Sequence, residues 1–386
     1  MDVKERIVDY LIKLLEKHGI QARKIEFSNN QSGLMAEIGD GKGPVLGFAG
    51  HEGSEAVNDS SNWAQKLLGG KNVSQQIYGY GSTNMKTGLA AAIIAMIRLK
   101  EMDVSLHGTF RIYATVGEQT MVEQGLTDDL TALIIGEPSE ISLTEIKSFA
   151  PRFEKLGIIT ETDLKEFLQV NQGSEQHFLE IAHKNALSYD IISHGKTVHS
   201  SMTELGTNAI DGLLSFIYEQ NIYFEELIQK NNHLLGLTAP VLTKISGGEQ
   251  VNAVPGEVKL SVFVRTIPEI SNEQIINHLT KLIKEINAKI NGDLSLKINF
   301  QHRSVGSRAE NRLSRIMQVV GGRYLQQKLG FISVPGGTDA SKFSKKKQQL
   351  EVLIFGPENT AADQVDADAF HNFIKIYQNA VAKYLA

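Results

Sequence analysis

The residues with most chemistry to offer stand where apolar runs stop. His51 closes the run Val45–Gly50, and an imidazole there can bind a metal or act as a base. Glu118 follows Thr109–Thr115 in Val116-Gly117-Glu118-Gln119, and Glu137 follows Ala132–Ile135 in Gly136-Glu137-Pro138-Ser139. Carboxylates so placed suit a general base or a hard metal ligand. Asn84 lies in a glycine-rich loop, Tyr78-Gly79-Tyr80-Gly81-Ser82-Thr83-Asn84-Met85-Lys86, whose glycines permit a tight turn. The loop lacks a Gly-Lys-Ser/Thr ending, which argues against a nucleotide phosphate site. Four later segments complete the set: His194-Gly195-Lys196-Thr197-Val198-His199-Ser200-Ser201, Val251-Asn252-Ala253-Val254-Pro255 after Gly247-Gly248, Pro335-Gly336-Gly337-Thr338-Asp339, and Phe355-Gly356-Pro357-Glu358.

These residues need elements to position them. Apolar positions at helical spacing predict a first helix over 3–18, and Val45–Ala49, Thr109–Thr115 and Ala132–Ile135 read as strands. A helix is expected over 86–100. Strand–helix alternation of this kind predicts an α/β fold with a largely parallel, two-faced sheet, and such sheets carry ligand sites at their strand ends. Residues 142–180 read as a mainly helical excursion. From Leu187 the pattern changes to strands Leu187–Ser193, Ala239–Ile245 and Val258–Arg265 about helical stretches near 207–230 and 272–290, an α+β unit. Helix–strand alternation then resumes. The expected organisation is a discontinuous α/β domain, residues 1–183 and 304–386, interrupted by a smaller domain at 184–303.

Composition narrows the chemistry. The chain has 386 residues, 41% hydrophobic and 22% charged, as in a soluble globular protein. It has no Cys, so disulfides, thiolate nucleophiles and Cys-ligated metals are excluded. Any metal must rest on His, Asp, Glu or weaker oxygen ligands. Lys and Arg number 39 against 44 Asp and Glu, a net charge of −5, which argues against nucleic-acid binding. The longest apolar run, Leu89–Ile97, is too short to span a bilayer. No membrane association is expected, and the charged N-terminal helix predicts a cytoplasmic protein.

In this order and spacing the motifs resemble the acetylornithine deacetylase/succinyl-diaminopimelate desuccinylase family of co-catalytic zinc amidohydrolases and peptidases, over nearly the whole chain. The resemblance implies a zinc-peptidase-like catalytic domain with an inserted α+β lid domain that usually dimerises. It implies a small N-acylated amino acid or peptide-like ligand and zinc or cobalt as cofactor. His51 and Glu137 match metal ligands, and Glu118 matches the general base. His199 matches the lid histidine that reaches a partner's active site in dimeric members and stabilises the oxyanion. Asn252, Arg265, Gly336, Gly337 and Thr338 match substrate-contacting positions. Arg265 suits a bidentate grip on a carboxylate.

The chain departs from the family pattern at four places. Asn84 replaces the acid that bridges both zinc ions, Gln119 stands at an acidic ligand position, and Asp363 replaces a histidine ligand. Gly53 replaces the acid that orients the metal-bound imidazole. Without a bridging carboxylate two closely spaced dications repel strongly. At most one ion is expected, with impaired two-zinc hydrolysis. The alternatives are an active hydrolase with an altered one-metal site, or a non-catalytic binding or regulatory protein on the same fold.

Overall fold

The computed structural model describes residues 3–27, 31–51, 71–79, 81–115, 118–142, 144, 146–148, 165, 169, 175–232, 235–290, 293–307, 309–334, 340–343, 350–357 and 364–386. The first half of the main unit runs α1 (Val3–Lys17), β1 (Ala22–Glu26), β2 (Ser32–Gly39), β3 (Val45–His51), β4 (Lys71–Val73), β5 (Gln76–Tyr78), α2 (Thr87–Glu101), β6 (Thr109–Thr115), α3 (Glu118–Glu123), β7 (Ala132–Ile135), β8 (Glu140–Ser142) and β9 (Glu175–His183). The chain then builds β10 (Ala186–His194), α4 (Ala209–Leu227), β11 (Asn231–Asn232), β12 (Gly236–Leu237), β13 (Ala239–Gly247), β14 (Glu257–Arg265), α5 (Asn272–Asn287) and β15 (Asp293–His302). It returns through β16 (Val305–Gly306), α6 (Arg312–Leu325), β17 (Gly330–Val334), α7 (Ala340–Phe343), β18 (Glu351–Ile354), β19 (Gln364–Asp366) and α8 (Ala367–Tyr384).

The main sheet has the order β1-β2-β6-β3-β7-β18-β9-β16, with β17 and β8 also paired to β9. Its centre, β6-β3-β7-β18, is parallel, so these four strands end on the same side. The flanking strands β1, β2 and β9 run antiparallel to their inner neighbours. Helices α1, α2, α6 and α8 cover one face through Leu15, Ile93, Met317 and Phe373. The other face is covered by α3 and α7 through Met121 and Phe343. A sheet buried on both faces explains why β7, Ala132–Ile135, reads as an unbroken apolar run.

The second sheet, β13-β14-β10-β15, is antiparallel throughout. Leu187, Tyr189 and Ile191 of β10 and Leu260, Val262 and Val264 of β14 alternate onto a core with α4 and α5. Asn208 and Ser271 cap these two helices by accepting from the Ile210 and Gln274 amides. The crossing between sheets is a ribbon. β9 pairs with β16 below it and β10 with β15 above it, with Lys184-Asn185 and Arg303-Ser304 as the only linking residues.

One expectation needs correction. Residues 175–180, read as part of a helical excursion, form the start of β9 inside the main sheet. The polar residues Gln176, His177 and Glu180 are all buried there, and they disguised a core strand as solvent-facing sequence. Most of the rest of 142–180 lies outside the described residues. The edge strand β15 also escaped notice, because its outward residues alternate with few buried ones. Among the described residues no helix is long and apolar enough to cross a membrane.

Candidate active site

The parallel strands deliver their polar residues to one edge. His51 is the last residue of β3 and stands beside Thr115 at the end of β6. Gly136 directly follows β7, with its amide donating to Ala49 O at 3.1 Å. The N-terminus of α2 comes unusually close here. A Cβ on Gly88 would lie 2.2 Å from Gly136 O, so only glycine permits the approach. The approach carries the preceding Ser82–Lys86 turn over the strand ends and sets Asn84 against His51. His51 Nε2 donates to Asn84 Oδ1 at 3.0 Å.

Glu137 follows β7 where the chain crosses toward β9, since Phe178 N donates to Ser139 O at 2.9 Å. A Cβ on Gly136 would meet the Phe48 ring, on the α2 face of the sheet. Glu180 of β9 points to the opposite face, since its neighbours Leu179 and Ile181 both pack on the α2 side. Glu180 lies level with Ile354 of β18, which is itself level with Ile135 of β7. Glu180 is only 8% exposed. Burial pushes its carboxyl up to about 8, with the nearby Glu137 adding to the effect. No sequence motif singled out Glu180; an acid inside Phe178-Leu179-Glu180-Ile181-Ala182 was the available signal.

On the α2 side of the sheet, His177 holds β9 to its neighbours. Its Nδ1 lies 3.3 Å from Ser139 Oγ, and its Nε2 lies 3.6 Å from Glu140 Oε1. The order Ser, His, acid invites comparison with a nucleophilic triad, but the site is closed. Ser139 is 1% exposed and donates to Gly356 O at 2.8 Å. Burial pushes the His177 imidazole down to about 3, so it stays neutral as a packing group against Phe355 and Phe373.

The lid positions separate into two places. His199 is exposed, and its Nδ1 accepts from the Ser201 amide at 3.2 Å. That bond puts the neutral ring's proton on Nε2, which can then donate outward. Asn252 lies alongside, because Ser200 N donates to Asn252 O at 2.9 Å and His199 bridges Ala253. Arg265 is at the far end of the sheet. β14 starts beside Gly195 and Gly256 and runs nine residues before reaching Arg265. At about 3.4 Å per residue, eight steps put Arg265 roughly 27 Å from the His199 end. Its guanidinium stacks 4.8 Å above Phe263, and burial lowers its pKa. One chain therefore brings His199 together with Asn252, and His51 with Asn84, but holds Arg265 apart from His199.

Glu118 and Gln119 open α3, directly after β6, as their backbone shows; their side chains are not among those described. Asp363, Gly336, Gly337, Thr338 and Gly53 lie outside the described residues. Among the described residues no three His, Asp or Glu side chains gather to hold a metal ion. At His51 one contact is a neutral carboxamide, that of Asn84.

Comparison with known proteins agrees with this architecture. Residues 181–291 match a peptidase dimerisation domain. A "probable succinyl-diaminopimelate desuccinylase" from Staphylococcus aureus is 31% identical, covering 98% of this chain and 92% of its own length. The succinyl-diaminopimelate desuccinylase of Wolbachia pipientis is 24% identical over 98% of this chain and 88% of its own. Among solved structures, an M20 family metallo-carboxypeptidase from Sulfolobus solfataricus superposes with a TM-score of 0.72 at 14% identity, covering 99% and 94% of the two chains. A tripeptidase from Staphylococcus aureus gives 0.68 at 18% identity, covering 98% and 93%. With its interrupted α/β sheet, its antiparallel insert and a full-length relative above 30% identity, the chain belongs to the succinyl-diaminopimelate desuccinylase family of amidohydrolases and M20-type peptidases.

Proposed function

We propose that the protein binds an N-acylated amino acid or peptide-like ligand in the manner of the desuccinylases and peptidases it resembles, and that two-zinc hydrolysis is impaired in it. The observation that carries the second part is the His51–Asn84 hydrogen bond. A neutral carboxamide cannot supply the charge of a bridging carboxylate. The remaining roles are part of the same reading. Glu118 takes a proton from the attacking water, and Arg265 grips a ligand carboxylate with help from Asn252, Gly336, Gly337 and Thr338. His199 donates from Nε2 to the oxyanion. When bound, a divalent ion would polarise the scissile carbonyl or acidify a water; Glu137 is the described acid best placed to hold one.

The proposal includes a homodimer. Ile210, Leu214, Tyr218 and Ile222 recur every fourth residue on the outer side of α4, and all are exposed. Val241 and Ile245 are exposed on β13, the edge of its sheet. An apolar stripe beside an open strand edge suits a second copy, and that copy would bring its own His199 to the site that lacks one.

The test is metal content with activity. After equilibration with Zn²⁺ and exhaustive dialysis, fewer than two tightly held ions per chain are expected, with cleavage of N-succinyl amino acids at least about 10- to 100-fold below a two-zinc relative. Two retained zinc ions and full turnover would overturn the proposal. In the fourfold variant Gly53→Asp, Asn84→Asp, Gln119→Glu, Asp363→His, a two-zinc site is expected to return.

A further inference from the structure

The outward face of the insert's sheet carries two aromatic rings beside Arg265 that none of the roles above employs. Leu187 and Tyr189 of β10 and Val262 and Val264 of β14 point into the core with α4 and α5, so Ser188, Phe263 and Arg265 face outward. Ser188 pairs with Phe263 on one side and with Phe300 of β15 on the other. The two rings lean together across the small serine, with centroids 5.6 Å apart at 61°. One row nearer the ribbon, Arg265 places its guanidinium 4.8 Å above Phe263, and His302 sets its ring 5.5 Å from Phe300. Phe300 is 41% exposed, a large apolar area to leave in water on a sheet surface. No carboxylate among the described residues pairs with Arg265, and burial alone acts on its guanidinium, lowering its pKa.

We infer that Phe263 and Phe300 form a specificity site for a ligand with an aromatic body whose carboxylate is held by Arg265: an N-acylated aromatic amino acid, or a peptide ending in one. Charge and shape agree on this occupant. The guanidinium calls for an anion, and the rings beside it call for a flat apolar group. Two residues along a strand separate the Arg265 row from the ring row, about 7 Å. One phenylalanine-sized residue bridges that span from carboxylate to ring. Arg265 already covers one face of Phe263, so Phe300, the more open ring, offers the larger contact to the ligand. An acidic side chain laid on the same rings would lose water without gaining a partner. The inference rests on the carboxylate grip proposed for Arg265 and adds the body attached to that carboxylate.

The test uses the full chain, titrated calorimetrically with N-acetyl-phenylalanine and with N-acetyl-alanine, which share the carboxylate and differ in the body. The phenylalanine derivative is expected to bind about 10-fold more tightly. Phe300→Ser, a change at an exposed position, should collapse that ratio toward one. Arg265→Gln should weaken both ligands by a similar factor and leave the ratio in place. A ratio near one in the parent, or a ratio that survives Phe300→Ser, overturns the inference and leaves the proposed function standing. Binding of both ligands that is indifferent to Arg265→Gln overturns the carboxylate grip and the inference with it, as does the absence of any binding. Nuclear Overhauser contacts provide a check that needs no variant. They should join the ring protons of bound N-acetyl-phenylalanine to the Phe300 ring, and contacts confined to other side chains would refute the site.

Discussion

If His199 serves the partner's site while Arg265 serves its own, the two residues can be complemented across chains. The separation along β14, roughly 27 Å, is several times the reach of an arginine or histidine side chain. His199→Ala removes the oxyanion donor from both sites of a dimer, and Arg265→Ala removes the carboxylate grip from both. Loss of a hydrogen bond to a charged group costs about 2 kcal/mol or more, so each variant alone should bind a phosphinate analogue of an N-acylated amino acid, which carries both the carboxylate and the oxyanion, about 30-fold more weakly. Co-refolding equal amounts gives half the dimers mixed. In each mixed dimer one site has both residues and the other has neither. About one quarter of the parent's high-affinity sites should therefore reappear, measured as calorimetric stoichiometry with affinity restored to the parent value. A mixture that shows only the weak binding of its components would refute the separation of roles. So would parent affinity in either single variant.

Charging the outer face of α4 and the edge of β13 together, with Leu214→Glu and Ile245→Lys, should halve the mass seen by light scattering without loss of secondary structure. Gly88→Ala places a methyl group 2.2 Å from Gly136 O and should cost about 1–3 kcal/mol in urea unfolding, with loss of the His51–Asn84 contact in a crystal structure. Stability should fall on acidification. Burial depresses His177 to about 3 and His183 to about 4, so from pH 6.5 downward the unfolded chain takes up protons that the native chain refuses. The stabilisation is complete above about 6.5 and is lost progressively toward pH 4, by several kcal/mol for the pair. His177→Leu should flatten that slope in urea midpoints taken at pH 7.5 and 4.5, and an unchanged slope would show that His177 titrates normally.

Much of the fold is written in local pattern. Val45–Gly50 and Ala132–Ile135 are apolar runs that stop at His51 and Gly136-Glu137, and those stops are the strand ends of the site. The alternation in Val258–Arg265 marks a sheet with one covered face. What escaped was carried by burial rather than order. Glu175–His183 is a core strand written in polar letters: Gln176 caps backbone carbonyls, His177 bonds Ser139, and Glu180 sits at the sheet edge. No period distinguishes such a strand from a surface segment, since the compensating partners lie far away in sequence. The substitutions at 84, 119 and 363 were legible only against a family pattern. The meeting of His51 with Asn84 depends on Gly88 and Gly136 nesting together, a tertiary contact that spacing cannot express.

The ribbon between the sheets bears on how the molecule can move. Both chains of the crossing are strands, paired below through Val305–His183 and above through Ala186–His302. Two strands tied side by side resist torsion but flex readily across their flat face, like a strap rather than a ball joint. The insert is therefore free to tip toward or away from the strand ends along one arc, with little freedom to swivel. Arg265, next to the strap, moves through a short path during such tipping, whereas His199, a sheet's length away, sweeps a long one. If Arg265 anchors the ligand and His199 is the donor, as proposed, a small flexure leaves the anchor nearly fixed while the donor travels.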